Sequence, residues 1–147
     1  MIRVLMVCHG NICRSPMAEF VMRELARERG LAARVETASA ATSTEELGNP
    51  VYPPARRKLA EHGISCAGKR AVQMRKADYE HYDRIFYMDA WNRRNILRIT
   101  GGDPAGKLLP LLDDREIDDP WYTGDFETAY RDILEGCRLQ LDRLFPR

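Results

Sequence analysis

Short apolar runs alternate along the chain with longer segments whose apolar positions recur every three or four residues. Residues 2–7 (IRVLMV) form the first run, which is rich in valine, isoleucine and leucine, as in a strand covered on both faces. Three further strands are predicted at residues 34–37, 82–88 and 107–111. Strands that alternate with helices form right-handed β-α-β units, so the pattern predicts a four-stranded parallel sheet with helices on both faces.

Four helices are predicted from the longer segments. The first covers residues 17–29, with Ser15 as its N-cap, Pro16 at its first position and Gly30 after its end. It is expected to face the core with one stripe of residues, Met17, Val21, Met22 and Leu25. The other three cover residues 54–61, 90–99 (capped by Asp89) and 126–144. The Ser/Thr-rich segment 39–50 and the acidic segment 113–125 are predicted as loops.

Length and composition fit a single domain that spans residues 1–147, because no linker, repeat or low-complexity segment interrupts the chain. The 23 basic and 22 acidic side chains nearly balance, which argues against nucleic acid or an anionic membrane as a partner. No stretch approaches 18 apolar residues, so no membrane segment is predicted. The 4 cysteines resemble neither a disulfide framework nor zinc knuckles. We therefore expect a soluble, cytoplasmic protein with reduced thiols.

The spacing C-x5-R occurs twice, at Cys8 with Arg14 and at Cys137 with Arg143, so the spacing alone does not identify a site. Cys137 lies on the apolar stripe of the last predicted helix, where backbone N–H groups are already bonded, and it is interpreted as a buried structural cysteine. Cys8 lies between the end of a parallel strand and the start of a helix. Ligands bind at that position in open α/β sheets.

The segment from Cys8 to Arg14 has the features of a phosphate-binding loop. Gly10 and Asn11 tolerate left-handed backbone, so successive N–H groups can turn inward, and the following helix adds its positive N-terminus. The planar guanidinium of Arg14 matches two oxygens of an oxyanion. The same field favours an ionised Cys8, which Ser15 is placed to hydrogen-bond. The sulfur nucleophile thus lies within the loop that would bind the phosphate, which indicates a phosphocysteine intermediate. The predicted loop comprises His9, Gly10, Asn11, Ile12, Cys13, Arg14 and Ser15.

A proton donor for the leaving oxygen is predicted at Asp119, which Pro120 restrains to an extended conformation. An aspartate in so acidic a segment is by itself more simply a solvated residue. Its pairing with the loop at Cys8 favours a general acid, a role that contributes roughly 10²–10⁴-fold. Trp121 and Tyr122 are candidate walls of a slot for an aromatic ring, although an aromatic pair more often belongs to a core.

Four motifs resemble those of the low-molecular-weight protein tyrosine phosphatases: VCHGNICRSPMAE, SAATS with GNP, the YMD after the third strand, and DDPWY with DFETAY. The resemblance covers essentially the whole chain. It implies a three-layer, flavodoxin-like α/β fold of the phosphotyrosine phosphatase I type, with no metal and no cofactor. It implies Cys8 as nucleophile, Arg14 as phosphate binder and Asp119 as general acid and then base. The implied substrates are phosphotyrosine proteins or peptides and small aryl phosphates, and phosphate or another oxyanion is expected to inhibit.

The resemblance also assigns supporting roles. Cys13 matches a residue that can form a reversible disulfide with Cys8. The network that holds the loop in its strained shape is matched by Asn11, Ser15, Ser39 and His62. From the residues alone, His62 would be an exposed histidine at a helix end.

Three positions are considered for substrate specificity. Glu45 is a candidate pocket wall at a position where the family often has an aromatic residue. The resemblance therefore supplies no second aromatic wall there, and our hypothesis is that the carboxylate favours basic flanks on the substrate. Ile12 is usual in members directed at tyrosine, whereas a phosphoarginine branch tends to carry threonine there. His9 at the rim either tunes specificity or has no role.

Three alternatives share part of the pattern. An arsenate reductase of the same fold relies on a further pair of cysteines, whereas this chain has only the single Cys66 and Cys137 downstream. Arsenate reductases also lack the Asp-Pro acid that this chain carries at Asp119. A non-catalytic phosphate-binding module needs neither Asp119 nor a reactive sulfur. Phosphoarginine hydrolysis shares the mechanism and is disfavoured by Ile12 and by the aromatic pair at 121–122.

Overall fold

A computed structural model describes residues 1–146. In that range the elements follow in the order β1 (Ile2–Cys8), α1 (Arg14–Glu28), β2 (Val35–Ala41), α2 (Pro53–Glu61), α3 (Asp78–His81), β3 (Arg84–Tyr87), α4 (Ala90–Thr100), β4 (Leu108–Pro110), α5 (Pro120–Thr123) and α6 (Phe126–Leu144). The strands form one sheet in the order β2-β1-β3-β4, and every pairing is parallel. The predicted α/β fold with a four-stranded parallel sheet is confirmed. The carboxyl end of the central strand β1 therefore lies between those of β2 and β3.

Helices cover both faces of the sheet because alternate residues of β1 point to opposite sides. Val4 and Met6 are fully buried in a core that α1, α2 and α6 complete. Leu5 and Val7 are buried in a second core, to which α3 and α4 contribute. The stripe predicted for α1 faces the first core, and all four of its residues are buried. The two cores hold β1 rigidly, and with it the residue at its end.

Two helix and strand boundaries differ from the prediction near the end of β1. The first helix begins at Arg14 with Cys13 as N-cap, so Ser15 is not a cap. Its hydroxyl turns instead toward Cys8. The second strand continues to Ala41, past the predicted end at residue 37, because its polar residues pair in register with β1. Ser39 thereby lies inside the sheet beside Met6 rather than in a loop.

The later elements follow the prediction more closely. Asp89 caps α4 as expected, with both halves of a capping box in place, and the helix ends at Gly101 in left-handed conformation. The single-turn helices α3 and α5 were not predicted, and α5 interrupts the acidic segment at Pro120. Among the described residues, no helix combines the length and apolarity needed to cross a membrane.

The second C-x5-R spacing forms no site. Cys137 is fully buried in α6, where its Sγ lies 3.6 Å from the carbonyl oxygen of Ala18, and burial raises the pKa of its thiol. Arg143 points away to the surface and pairs with Asp113. The interpretation of Cys137 as a structural cysteine is confirmed.

Candidate active site

The segment that joins β1 to α1 is held in its shape by the side chain of Asn11. Asn11 has φ 59°, and it is the one non-glycine residue within 1–146 in the left-handed region, a conformation that asparagine tolerates better than most residues. Its Oδ1 accepts a hydrogen bond from the N–H of Val72 at 3.1 Å. Its Nδ2 donates to the hydroxyls of Ser15 and Ser39 at 2.8 and 3.0 Å. Every polar atom of this buried side chain is therefore used to fix the loop.

The sulfur of Cys8 lies at the inner side of this loop. Its Sγ is 3.0 Å from the hydroxyl of Ser15 and accepts from the N–H of Ser15 at 3.4 Å. Only 3% of Cys8 is exposed. The start of α1 thus supplies two polar groups to the sulfur, an N–H that donates to it and a hydroxyl within hydrogen-bond distance.

Arg14 is almost completely buried, at 2% exposure, and one of its guanidinium nitrogens is left without a hydrogen-bond partner. Its Nη1 donates to Asp89 Oδ2 and to the carbonyl oxygen of Ile117, both at 2.7 Å. Its Nη2 meets only Asp119 Oδ2, at 3.5 Å, and its Nε has no partner. Burial disfavours the charge, yet the nearby Cys8 sulfur and the Asp89 carboxylate raise the pKa of Arg14 above its ordinary value. A permanent cation is thus held with its Nε edge free for an oxyanion.

Asp119 approaches the same point from the opposite side. It adopts the expected extended conformation and is the N-cap of α5, where its Oδ1 accepts from the N–H of Trp121 at 3.0 Å. Pro120 occupies the first position of that helix. The other carboxylate oxygen is left facing Arg14. Asp119 and Cys8 line one cavity.

Aromatic residues form one wall of this cavity. Trp121 and Tyr122 both line it, at 49% and 81% exposure. The ring of Trp121 packs on that of Tyr52, with centroids 4.8 Å apart, and Tyr52 in turn lies 6.1 Å from Phe126. Trp121 is therefore braced by a cluster, whereas Tyr122 projects into solvent.

Polar residues line the cavity as well. Glu45 and Glu46 line the cavity, together with His9, whose Nε2 lies 3.0 Å from Glu45 Oε2. Glu46 accepts a hydrogen bond from Asn49 at 2.7 Å. The structure thus places Glu45 at the cavity, as expected, and a carboxylate stands there rather than an aromatic ring.

The base of the cavity holds the remaining residues of the loop. Gly10, Ile12 and Cys13 all line it. Cys13 is buried, and burial raises the pKa of its thiol, as do the neighbouring Cys8 and Asp119. Cys8 and Cys13 both carry free thiols in this structure.

The prediction that His62 supports the loop is wrong. His62 is exposed at the end of α2, and its ring stacks on Tyr130 of α6 with centroids 4.1 Å apart. Helix-end packing accounts for this histidine, as the residues alone had suggested. Ser39, Asn11 and Ser15 do lie together, as expected.

Glu19 and Lys69 complete the network instead, and the sequence analysis missed both. The hydroxyl of Ser39 donates to Glu19 Oε1 at 2.5 Å, and Lys69 Nζ donates to the carbonyl oxygen of Ser39 at 2.9 Å. Lys69 Nζ is 3.7 Å from Glu19 Oε1, and Arg23 contacts the other oxygen at 2.7 Å. Burial lowers the pKa of Lys69, although Glu19 acts in the opposite direction. One available signal was that Glu19 lies one turn after Ser15 on the same side of α1.

Asp89 was expected only as a helix cap, yet it also binds Arg14. The carboxyl end of β3 delivers it beside the loop, and no local pattern reveals that proximity. Among the described residues, no group of three or more His, Cys, Asp or Glu side chains converges as a metal ion would require.

Comparison with known proteins matches the chain over nearly its full length. A family model described as low molecular weight phosphotyrosine protein phosphatase matches residues 3–145. The low molecular weight protein-tyrosine-phosphatase YfkJ of Bacillus subtilis is 38% identical over 143 residues, which cover 93% of this chain and 92% of YfkJ. The human low molecular weight phosphotyrosine protein phosphatase is 37% identical over 149 residues, covering 95% of this chain and 94% of the human protein.

Solved structures agree with these matches. The crystal structure of YfkJ has a TM-score of 0.93 at 35% identity and covers 100% of this chain and 98% of its own. Vibrio vulnificus Wzb in complex with benzylphosphonate has a TM-score of 0.85 at 25% identity, covering 97% of this chain and 98% of its own. The fold and the whole length of the chain are shared with these proteins.

Proposed function

Because the chain belongs to the low molecular weight phosphotyrosine protein phosphatase family, we propose that it hydrolyses phosphotyrosine through a phosphocysteine intermediate on Cys8. Arg14 binds the phosphate and Asp119 is the general acid and then the base. The reaction as proposed requires no metal ion and no organic cofactor.

The observation that carries this proposal is the free Nε edge of Arg14. A buried guanidinium with an unsatisfied donor is costly unless a ligand completes it, and a phosphate oxygen pair is the complement of that planar edge. Cys8 and Asp119 lie at the same cavity. A phosphate held by Arg14 would thus be placed between a sulfur nucleophile and a carboxyl group.

In the first step, the thiolate of Cys8 attacks phosphorus and the bond from phosphorus to the tyrosine oxygen breaks. The electron pair of that bond goes to the departing oxygen, which takes a proton from the Asp119 carboxyl group. Arg14 stabilises the negative charge on the equatorial oxygens of the transition state. This electrostatic stabilisation is stronger than it would be in water, because the site is buried.

In the second step, Asp119 accepts a proton from water as the water oxygen attacks phosphorus. The bond between phosphorus and sulfur breaks, and its electron pair returns to Cys8. The two donors of Ser15, its hydroxyl at 3.0 Å and its N–H at 3.4 Å, stabilise the departing thiolate. Phosphate is released, which explains why free phosphate or a similar oxyanion should inhibit.

An aryl substrate is favoured by the cavity walls. The braced ring of Trp121 and the apolar side chain of Ile12 suit a phenyl ring, and offset stacking of aromatic rings contributes about 0.5–1.5 kcal/mol beyond burial. The Wzb complex contains an aromatic phosphonate, which supports the same substrate class. Phosphoarginine hydrolysis remains the alternative to be compared directly.

Turnover of p-nitrophenyl phosphate in excess EDTA tests the chemistry. Wild type should be active and Cys8→Ser inactive, and Arg14→Lys should lose at least a hundredfold in kcat/KM because an ammonium lacks the planar fork. Arg143→Lys is the matched control, since Arg143 belongs to the second C-x5-R and lies at the surface. Activity that survives in Cys8→Ser, or that requires a divalent metal, contradicts the mechanism.

Peptides then separate the substrate classes. The same peptide carrying phosphotyrosine or phosphoarginine should be hydrolysed faster in the phosphotyrosine form. A reduced wild-type protein that binds phosphate but hydrolyses neither peptide is instead a phosphate-binding module, and one that reduces arsenate is a reductase.

Cys13 is proposed as the partner of Cys8 in a reversible disulfide. Peroxide would supply the oxidising equivalents: the two thiols lose two electrons and two protons, and peroxide is reduced to water. Inactivation by peroxide should be reversed by dithiothreitol in wild type. In Cys13→Ser a larger share of the loss should be irreversible, because no resolving thiol protects the sulfenic acid of Cys8.

A further inference from the structure

Two carboxylates stand at the mouth of the catalytic cavity, and we refer to Glu45 and Glu46 as the acidic rim. Both line the cavity, and the side chain of Glu45 is 68% exposed. Cys8, at the base of the same cavity, is almost completely buried. The acidic rim thus marks the point where the cavity opens to solvent.

The hydrogen-bond partners of the acidic rim are a histidine and an asparagine, not a lysine or arginine. Several exposed acidic residues elsewhere are paired with lysine or arginine, as Glu36 is with Arg3 and Asp142 with Arg29. Within residues 1–146, neither rim carboxylate has a lysine or arginine nitrogen within 4.0 Å. Glu45 is bonded to His9 and Glu46 to Asn49, so both are oriented while their charge is left available.

The other residues that line the cavity also favour a positively charged group. No lysine or arginine lines the cavity in the described part of the chain, and the rings of Trp121 and Tyr122 line it together with the two carboxylates. Aromatic faces attract cations within about 6 Å of the ring centroid. A cation at the mouth would therefore be attracted both by the carboxylates and by the aromatic rings.

We propose that the acidic rim makes the enzyme select phosphotyrosine peptides that carry lysine or arginine next to the phosphotyrosine. The inference rests on the proposed function, because the phosphate must occupy the base of the cavity beside Arg14. With the phosphate there and the phenyl ring between the walls, the neighbours of the phosphotyrosine lie at the mouth. A basic neighbour meets the carboxylates, and an acidic neighbour is repelled.

Paired peptides test this selection. Two phosphotyrosine peptides of identical sequence are compared, with lysine in one and glutamate in the other on both sides of the phosphotyrosine. The ratio of their kcat/KM values should favour the lysine peptide about three- to tenfold at low ionic strength, which is the range expected for a few exposed ion pairs. The ratio should fall as NaCl is added, because exposed charges are screened.

Substitutions of the two rim residues test whether the acidic rim causes the difference in kcat/KM between the two peptides. Glu45→Gln and Glu46→Gln should each lower the ratio, and the double variant should bring it close to one. Glu80→Gln is the matched control, since Glu80 is an exposed glutamate on α3 that does not line the cavity, and it should keep the wild-type ratio. Thermal unfolding of each variant shows that the fold is retained.

The outcomes separate this inference from the proposed function. If wild type hydrolyses p-nitrophenyl phosphate and both peptides with a ratio near one, the selection is wrong and the phosphatase stands. A ratio that survives in the double variant also overturns it. If wild type hydrolyses none of the three substrates, the proposed function fails, and the inference fails with it.

Discussion

Substitution of Asp89 separates two tasks that one carboxylate performs. Its Oδ1 accepts from the N–H of Asn92 and caps α4, and its Oδ2 accepts from Arg14 Nη1 at 2.7 Å. Asparagine keeps the capping oxygen but loses the charge, and it turns an amide N–H₂ toward Arg14. Alanine loses both contacts. Asp89→Asn therefore isolates the contact to Arg14, and the comparison with Asp89→Ala measures the cap.

The stability difference between the two variants follows from the cap alone. An N-cap aspartate or asparagine replaced by alanine costs about 1 kcal/mol. Both variants also lose a charged hydrogen bond to the buried Arg14, which is worth about 1.5–3 kcal/mol. Arg14 Nη1 keeps the carbonyl oxygen of Ile117 as a partner, so we expect the lower part of that range. Urea unfolding should place Asp89→Asn below wild type, and Asp89→Ala about 1 kcal/mol lower still.

The catalytic effect should be nearly equal in the two variants. If the lost 1.5–3 kcal/mol is expressed in the transition state, kcat/KM falls about ten- to hundredfold, since each 1.36 kcal/mol is a factor of ten. The assay is p-nitrophenyl phosphate turnover beside urea unfolding of the same preparations. An Asp89→Asn variant with wild-type kcat/KM would show that Asp89 does not orient Arg14. Equal stability of the two variants would refute the account of the cap.

Three further predictions concern the network and the packing. Lys69→Met should lower kcat/KM and slow alkylation of Cys8 by iodoacetamide, with Lys69→Arg partly restoring both; unchanged alkylation would exclude Lys69 from positioning the loop. Gly136→Ala should destabilise by about 1–2 kcal/mol in urea unfolding, because the new Cβ would lie 2.6 Å from Leu111 Cγ and overpacking outweighs the gain in helix propensity; a more stable variant would contradict this. Burial acts to raise the pKa of Asp103, but hydrogen bonds from Tyr79 and from backbone N–H groups together lower it below its ordinary value of 3.8. The contribution of Asp103 to stability is therefore full above that ordinary value and is lost as the pH falls through the lowered one. Asp103→Asn should therefore be less stable at pH 7 and show a shallower acid dependence; an identical acid profile would refute the assignment.

Much of the fold was predictable because its signals are local. A continuous apolar run identified β1, and regular apolar spacing identified α6. Asp89 and Gly101 bounded α4 through their own capping chemistry. The extension of β2 was missed because its small and polar residues resemble a loop. Pairing with β1, which lies more than thirty residues away, makes that segment a strand.

In the candidate site, too, residues with local sequence signals were predicted and residues that depend on long-range contacts were not. Cys8 and Arg14 were predicted because the loop between them carries its own chemistry over seven residues. His62 was wrongly included because a resemblance between sequences does not show which side chain reaches Ser39. Lys69 reaches it across 30 residues of sequence, and only the folded sheet brings the two together.

The anchoring of Asn11 also connects ligand affinity to the folding equilibrium. Its partners Ser39 and Val72 are 28 and 61 residues away, so the loop can take its binding shape only when the sheet has assembled. The unfolded chain then has no comparable anion site. By thermodynamic linkage, an oxyanion at a hundredfold excess over its Kd should stabilise the native state by about 2.7 kcal/mol. Phosphate-dependent thermal shifts would thus report whether the loop has formed in any variant, including one that has lost its nucleophile.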